Sequence, residues 1–414
     1  MGGNKFLIIK VWGGLNLILL ILLGTFISCK QPAKYIDESN SKSIKILNEN
    51  AKLSITIDEI IDSVSYIPLE TEKCLLGNIE VVKRDGNRLF IKAGNKLFVF
   101  DSDGNFISEI SNKGNAPHEY LYIQCFYLDK KNKHVCIISH PDKKLLRYSY
   151  DGDFIYSINN LPEDISIMSS AICLTHDSLV VYNALSNEIN MRVAEYTLYS
   201  NNSNSFDIKP LIKGVDCKSN EVYYPFIYKP MTLYNNELFM VSALSNAVYK
   251  FDKNIAFEAF RIDIPNLNPP TDLMKENEKK DFFSLKKIIE EKGYGLGITG
   301  ISTIESCLIL FLNNSNTLIT DCNEGILIDS KIYDRNTNVY LSHLFTDGIS
   351  EDYLGVYDAS YLLSVQKYIL QNDNTRLKEI LKTIKEEDNP IVFQYHFKND
   401  LFSLLKSLVE KKSL

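Results

Sequence analysis

Residues that could do chemistry are few and scattered in this 414-residue chain. The histidines, His118, His134, His140, His176, His343 and His396, show neither His-x-His nor His-Glu-x-x-His spacing. Those spacings put two imidazoles on one metal from a single strand or helix. A site assembled from distant segments would leave no such trace, so the sequence nominates no metal and no organic cofactor. No Gly-x-Ser-x-Gly elbow is present to expose a nucleophile. Gly293-Tyr294-Gly295-Leu296-Gly297 follows a helix-like stretch and precedes a strand, the reverse of the order that cradles phosphate, so it reads as a loop. His140-Pro141-Asp142 and His176-Asp177 read as turns. What remains is a set of polar loop residues, His118, Glu119, Tyr120, Glu163, Tyr224 and Asp347, far apart in sequence and useful only if an architecture gathers them.

That architecture is written in a recurring turn. Asp101-Ser102-Asp103-Gly104-Asn105, Asp151-Gly152-Asp153 and Asp252-Lys253-Asn254 each follow an alternating apolar run, with degenerate copies near Asn202 and Asn336. The copies lie about 50 residues apart, the last gap being about 80, which is the grammar of a repeat protein with one insertion. Between them run short stretches of period-two alternation, the strand signature. Ile79 to Lys83, Arg88 to Lys92, Lys96 to Phe100 and Phe106 to Ile110 are joined by Asp85-Gly86-Asn87, Gly94-Asn95 and Asp103-Gly104-Asn105, turns that tolerate positive φ. Four strands in each such unit form an antiparallel meander, the blade of a β-propeller. The expected fold is all-β: a six-bladed β-propeller of four-stranded antiparallel blades, with a helical insert at about 270–295 between blades 4 and 5 and short C-terminal helices. Ser65 to Leu69, Ile391 to Phe397, or both, are expected to complete the last blade, because closure removes unpaired edges.

The first 28 residues carry Lys5 and Lys10, no acid and an apolar run from Val11 to Ile27, a secretory signal shape. Ser28-Cys29 then meets an abrupt polar turn at Lys30-Gln31-Pro32, resembling a bacterial lipobox in which Cys29 is acylated. An uncleaved anchor and ordinary cleavage are the other readings of this segment, and the run is short for a spanning helix of about 20 residues. Two or three acyl chains would hold firmly, each buried methylene adding about 0.8 kcal/mol. The division is 1–28 signal peptide, 29–52 flexible tether, 53–398 propeller and 399–414 C-terminal helix. Net charge is −7, and −9 once the two signal lysines are removed. Without a basic stripe, nucleic acid is not an expected partner. Beyond Cys29, the cysteines are odd in number, form no Cys-x-x-Cys pair and read as small buried hydrophobes, with one incidental disulfide open.

Several pieces together resemble the six-bladed β-propeller lipoproteins of the Bacteroidetes, related in architecture to NHL-repeat propellers. They are Tyr66-Ile67-Pro68-Leu69-Glu70-Thr71, Gly77-Asn78-Ile79, Lys96 to Asp101, Gly114-Asn115-Ala116-Pro117-His118-Glu119-Tyr120 and Glu387-Asp388-Asn389-Pro390-Ile391-Val392. The loop after blade one departs from the family pattern Gly-x-Gly-Pro-Gly-Glu-Tyr, with Ala116 and His118 in place of its second and third glycines. A close backbone approach to a ligand there is thereby put in question. The resemblance implies fold and a lipid-anchored place in the cell envelope, on the outer-membrane or periplasmic side, rather than an activity.

In a propeller, the crossings from one blade's outer strand to the next blade's inner strand border the central channel. His118, Glu119, Tyr120, Glu163, Tyr224 and Asp347 fall in those crossings and are the expected ligand-binding set. Glu119 and Tyr120 have a second reading, in which Glu119 caps loop amides and Tyr120 packs under the next blade. The expected function is binding of a carbohydrate, peptide or protein at the channel face. Two alternatives are a metal-dependent lyase or hydrolase, as in related NHL-type propellers, and a structural subunit of an envelope complex docking through Phe282-Phe283.

Overall fold

The computed structural model describes residues 42–412, except 50–52, 111, 163–169, 176–177, 184–191, 194, 203–204, 213–214, 217–226, 228, 278–279, 313–315, 330–333, 335–336, 338–352 and 372–373. The meanders read from the sequence are present. The first sheet is Ile79–Asp85, Arg88–Ala93, Lys96–Asp101 and Phe106–Ile110, and the second is Ile123–Asp129, His134–Ser139, Lys144–Ser149 and Phe154–Ile158. The third is Ser170–Thr175, Ser178–Asn183, Glu195–Asn202 and Ser205–Ile212. The fourth is Met231–Tyr234, Glu237–Val241, Ala247–Asp252 and Ile255–Ile262, and the fifth is Ile298–Ile304, Cys307–Leu312, Asn316–Thr320 and Glu324–Asp329. A closing sheet has Tyr353–Tyr357 and Ile61–Pro68 on either side of Ile391–Phe397, so strands from both ends of the chain meet in it.

The middle strands of these sheets are buried on both faces, so they read as continuous apolar runs. In Arg88–Ala93, Leu89 and Ile91 pack toward the closing sheet while Phe90 packs toward the second. The second sheet likewise gives Val135 and Ile137 to the first, and Cys136 and Ile138 to the third. One core joins the third, fourth and fifth sheets, and another joins the fifth to the closing sheet through Ile309, Ile319, Tyr353 and Phe393. Each sheet thus packs on its neighbour and the last packs on the first, the arrangement of a β-propeller. Full burial of each Leu, Ile or Phe contributes about 1.5–3 kcal/mol, which makes the sheet-to-sheet faces the main source of stability.

The periodic glycines have a steric cause. Gly104 and Gly152 have φ of 89° and 95°, in the left-handed region. A Cβ on Gly104 would lie 2.1 Å from the Pro68 carbonyl oxygen, and one on Gly152 would lie 2.7 Å from Ser108 Oγ. Each repeat turn therefore leans on the preceding sheet, where a side chain has no room. Charges reinforce the second contact: Lys133 Nζ is 2.6 Å from Asp85, the Tyr150 hydroxyl donates to Asp85 at 2.9 Å, and Arg88 reaches Asp151 at 3.1 Å. Within the first turn, Asp101 accepts from the backbone of Asp103 and Asn105 and from the Asn105 amide. Burial opposes ionisation of Asp101, but these bonds outweigh it and hold the carboxyl below its usual range.

Ring closure rests on a clasp. The Asn389 amide donates to the carbonyls of Glu70 (2.7 Å) and Cys74 (2.8 Å), and its oxygen accepts from Leu76 N–H (2.8 Å). The Asn389 N–H donates to Thr71 Oγ1 at 3.0 Å. Glu70 then accepts from Phe106 N–H at 2.8 Å, and that bond, with help from Lys73, holds its carboxyl below the usual range.

The sequence reading needs correction at 29–52. Its end is not tether: Lys42–Ile46 is a strand, with Ile44 and Ile46 buried and Lys42, Ser43 and Lys45 turned outward or partly so. It runs parallel to both Ile255–Ile262 and Glu324–Asp329, the last strands of the fourth and fifth sheets, and joins them into nine strands. Asn48 extends the seam by accepting from Leu327 N–H and donating to Leu327 O, both at 2.8 Å. One short strand thereby covers two open sheet edges.

The helices also differ in detail. Asp272 to Lys292 holds two helices, Thr271–Glu276 and Phe282–Glu291, the second capped by Asp281 accepting from Ser284 N–H at 3.0 Å. Leu285 and Ile289 join the core shared by the fourth and fifth sheets. Ala359–Ser364, Gln366–Ile369, Thr375–Leu381 and Leu401–Lys412 follow later in the chain, and Leu362, Leu377 and Leu401 pack on the core of the closing sheet. No helix among the described residues is long and apolar enough to cross a membrane. The described cysteines are free, and burial pushes the Cys136 thiol up to about 12.

Candidate functional site

The crossing from the first to the second sheet is built around its own backbone. Tyr120 N–H donates to Asn112 O at 2.9 Å, Gly114 N–H to Tyr120 O at 3.0 Å and Glu119 N–H to Ala116 O at 2.9 Å. Glu119 turns one carboxylate oxygen inward to accept from Ala116 N–H at 2.8 Å. A Cβ on Gly114 would lie 2.0 Å from that oxygen, so the glycine makes room for the carboxylate. Tyr120 is fully buried, its hydroxyl donating to Ile110 O (2.8 Å) and Asn95 O (3.0 Å), and burial pushes its phenol far up. Lys144 secures the loop from the next sheet by donating to the carbonyls of Asn115, Ala116 and Glu119 at 3.0–3.2 Å. His118 is half exposed, its Nε2 3.9 Å from the other Glu119 oxygen and its ring edge-on to Phe154. A hollow of about 470 Å³ lies beside the start of the first sheet, lined by Leu75, Gly77, Asn78, Glu80, Lys96 and Lys113 among others.

Of the expected ligand-binding set, His118 and Glu119 thus come together at the surface, while Tyr120 points into the core. Glu163, Tyr224, Asp347 and the lipidation candidate Cys29 lie outside the described residues. Among the described residues, no three His, Cys, Asp or Glu side chains converge as a metal site would require.

A second cluster sits where the first strands of the fourth, fifth and closing sheets begin. Lys229 precedes Met231–Tyr234 and pairs with Gly300 of Ile298–Ile304, Ile301 N–H donating to Lys229 O at 2.8 Å. Its side chain crosses toward the closing sheet, putting Nζ 4.9 Å from the Phe311 ring centre and 5.6 Å from that of Tyr353. The stem keeps some surface, but the nitrogen has none and no hydrogen-bond partner among the described residues. The hydroxyls of Ser302 and Tyr353 are buried too and have no hydrogen-bond partner beyond each other among the described residues. Desolvation pushes the Lys229 amine down to about 7. Desolvation also pushes the Tyr353 phenol well up, with Ser302 opposing it. Gly300 allows the crossing: a Cβ there would lie 3.1 Å from Phe311 Cδ2 and 3.4 Å from Lys229 Cβ. Sequence reasoning missed this cluster. A glycine inside a strand was the one signal that could have marked a close approach.

No curated protein matches the chain. Among solved structures it is similar to a Bacteroides fragilis protein described as a "putative exported protein", at 19% identity, TM-score 0.65, covering 86% of this chain and 99% of that one. It is also similar to a DUF4221 member from Bacteroides vulgatus, at 8% identity and TM-score 0.46, covering 82% of this chain and 97% of that one. The first likeness shows the fold. Residues 41–396, which run from the Lys42–Ile46 strand to the closing sheet, match the domain of unknown function DUF4934, and the chain belongs to that family.

Proposed function

We propose that the protein is a six-bladed β-propeller lipoprotein of the cell envelope that binds a ligand at the channel face. One observation carries the binding reading: the buried Lys229 Nζ, over the Phe311 and Tyr353 rings, has no hydrogen-bond partner among the described residues, and the buried Ser302 and Tyr353 hydroxyls have none beyond each other. Buried polar groups are normally satisfied, and an unsatisfied set in a native fold calls for something to complete it. The cluster lies on the first strands of its sheets, and in a propeller those strands surround the axis. The blade count is supported by the closing sheet, which joins residues 61–68 to 391–397 after five meanders. The envelope address is supported by the Ser28-Cys29 boundary and by the fold shared with an exported protein. Capture of the full-length protein from native envelope, with mass spectrometry of what it retains, tests the reading. A retained molecule that is lost on Lys229→Met supports it, and identical retention by both proteins rejects the site. Radiolabelled palmitate incorporated by wild type and lost in Cys29→Ser tests the anchor.

A further inference from the structure

The cluster also specifies a kind of ligand. An ammonium taken out of water needs an anion, and no carboxylate among the described residues lies within ion-pair distance of Lys229. Phe311 and Tyr353 offer ring faces, which compensate only in part. The Tyr353 ring that faces the amine carries a hydroxyl, and the buried Ser302 hydroxyl lies against it, so the fifth and closing sheets each bring a group that can donate. One cation and two neutral donors suit a singly charged group with two oxygens better than a dianionic phosphate.

We propose that Lys229 Nζ, Ser302 Oγ and Tyr353 OH form a binding site for the carboxylate of a small organic ligand. This rests on the channel-face reading above and narrows it to a ligand class. Phe311 and Tyr353, whose rings face the amine, carry no charge, so its protonation follows the ligand. With the site empty, desolvation holds the amine near 7. An arriving carboxylate restores the charge, so binding takes up a proton and tightens as pH falls.

The test uses full-length protein with acetate as probe and acetamide as its neutral isostere, reading thermal unfolding midpoints at constant ionic strength. Acetate should raise the midpoint of wild type at pH 6, with an affinity about 30-fold weaker at pH 8.5, the ratio of protonated amine for a value near 7. Acetamide should do nothing, and Lys229→Met should abolish the acetate response. Should that variant not fold, Ser302→Ala serves, with a weakened response expected. Equal responses to acetate and acetamide, no response, or a response surviving both variants overturns the proposal. Small molecules released from natively purified wild type and Lys229→Met separate the two readings. A molecule lost in the variant but lacking a carboxylate rejects the ligand class and keeps the site, whereas no lost molecule and no acetate response reject both.

Discussion

Replacing Asn389 should cut the ring at its clasp. The side chain is 4% exposed and makes three hydrogen bonds at 2.7–2.8 Å that tie the end of the chain to residues 70–76. Asn389→Ala leaves the Leu76 N–H and the Glu70 and Cys74 carbonyls behind, while its own N–H can still reach Thr71. At about 1–1.5 kcal/mol for each lost bond, the expected loss is about 3–4 kcal/mol, a large share of the roughly 5–15 kcal/mol that stabilises a typical domain. Asn389→Asp is the sharper variant. It keeps the acceptor for Leu76 but sets a carboxylate against two carbonyl oxygens, so near neutral pH it should be at least as damaging as Ala. Its folded-state carboxyl is raised above the unfolded value, so the penalty shrinks as pH falls through that raised value and protonation restores a donor. Urea unfolding measures both, the midpoint moving with little change in slope. A loss below about 1 kcal/mol for Asn389→Ala, or an Asp variant milder than Ala at neutral pH, would refute the clasp.

Gly104→Ala should destabilise by several times more than Gly86→Ala, since both have positive φ but only Gly104 faces a backbone oxygen, and midpoints in urea compare them directly. Between about 7 and the ordinary lysine value of 10.5, the unfolded chain holds a proton on Lys229 that the folded protein lacks. Wild-type stability minus that of Lys229→Met should therefore rise with pH across that window and stay flat below it; a flat difference throughout would show the amine is not desolvated. Asn48→Ala strips the Leu327 N–H of its Asn48 acceptor and leaves the Leu327 carbonyl only Leu53 N–H at 3.1 Å, so it should speed amide hydrogen exchange along Glu324–Asp329, leaving the first sheet unchanged. Loss of Glu70's carboxylate contacts as pH falls through its depressed folded value should weaken the same closure, seen as an acid-side decline that Glu70→Gln abolishes.

The meanders were legible because turn chemistry and burial on two faces both leave local marks. Asp-Gly and Gly-Asn turns need positive φ, and Arg88-Leu89-Phe90-Ile91-Lys92 is apolar where two neighbouring sheets press on it. What the sequence hid was contact between distant segments. Asn389 and Glu70 stood in separate motif pieces, and their bond through the Glu70 carbonyl appears only on folding. Lys42-Ser43-Ile44-Lys45-Ile46 alternates with period two, yet a single short run inside a polar stretch is drowned by its flanks. The loop residues show the same limit. Glu119 and Tyr120 carry functional-looking chemistry but spend it on Ala116, Ile110 and Asn95, whereas Lys229 has no motif because its surroundings arrive from two later sheets.

The Lys42–Ile46 strand has a mechanical corollary. A strand lying parallel between two neighbours, pulled along its own length, strains its hydrogen bonds all at once in shear instead of opening them singly like a zip. Traction on Lys42 would be shared by the fourth and fifth sheets through Lys42–Ile46 and the Asn48 bracket, and neither of those sheets takes part in the clasp at Asn389. Whatever tugs at the front of the chain is thus resisted before it can unravel the ring.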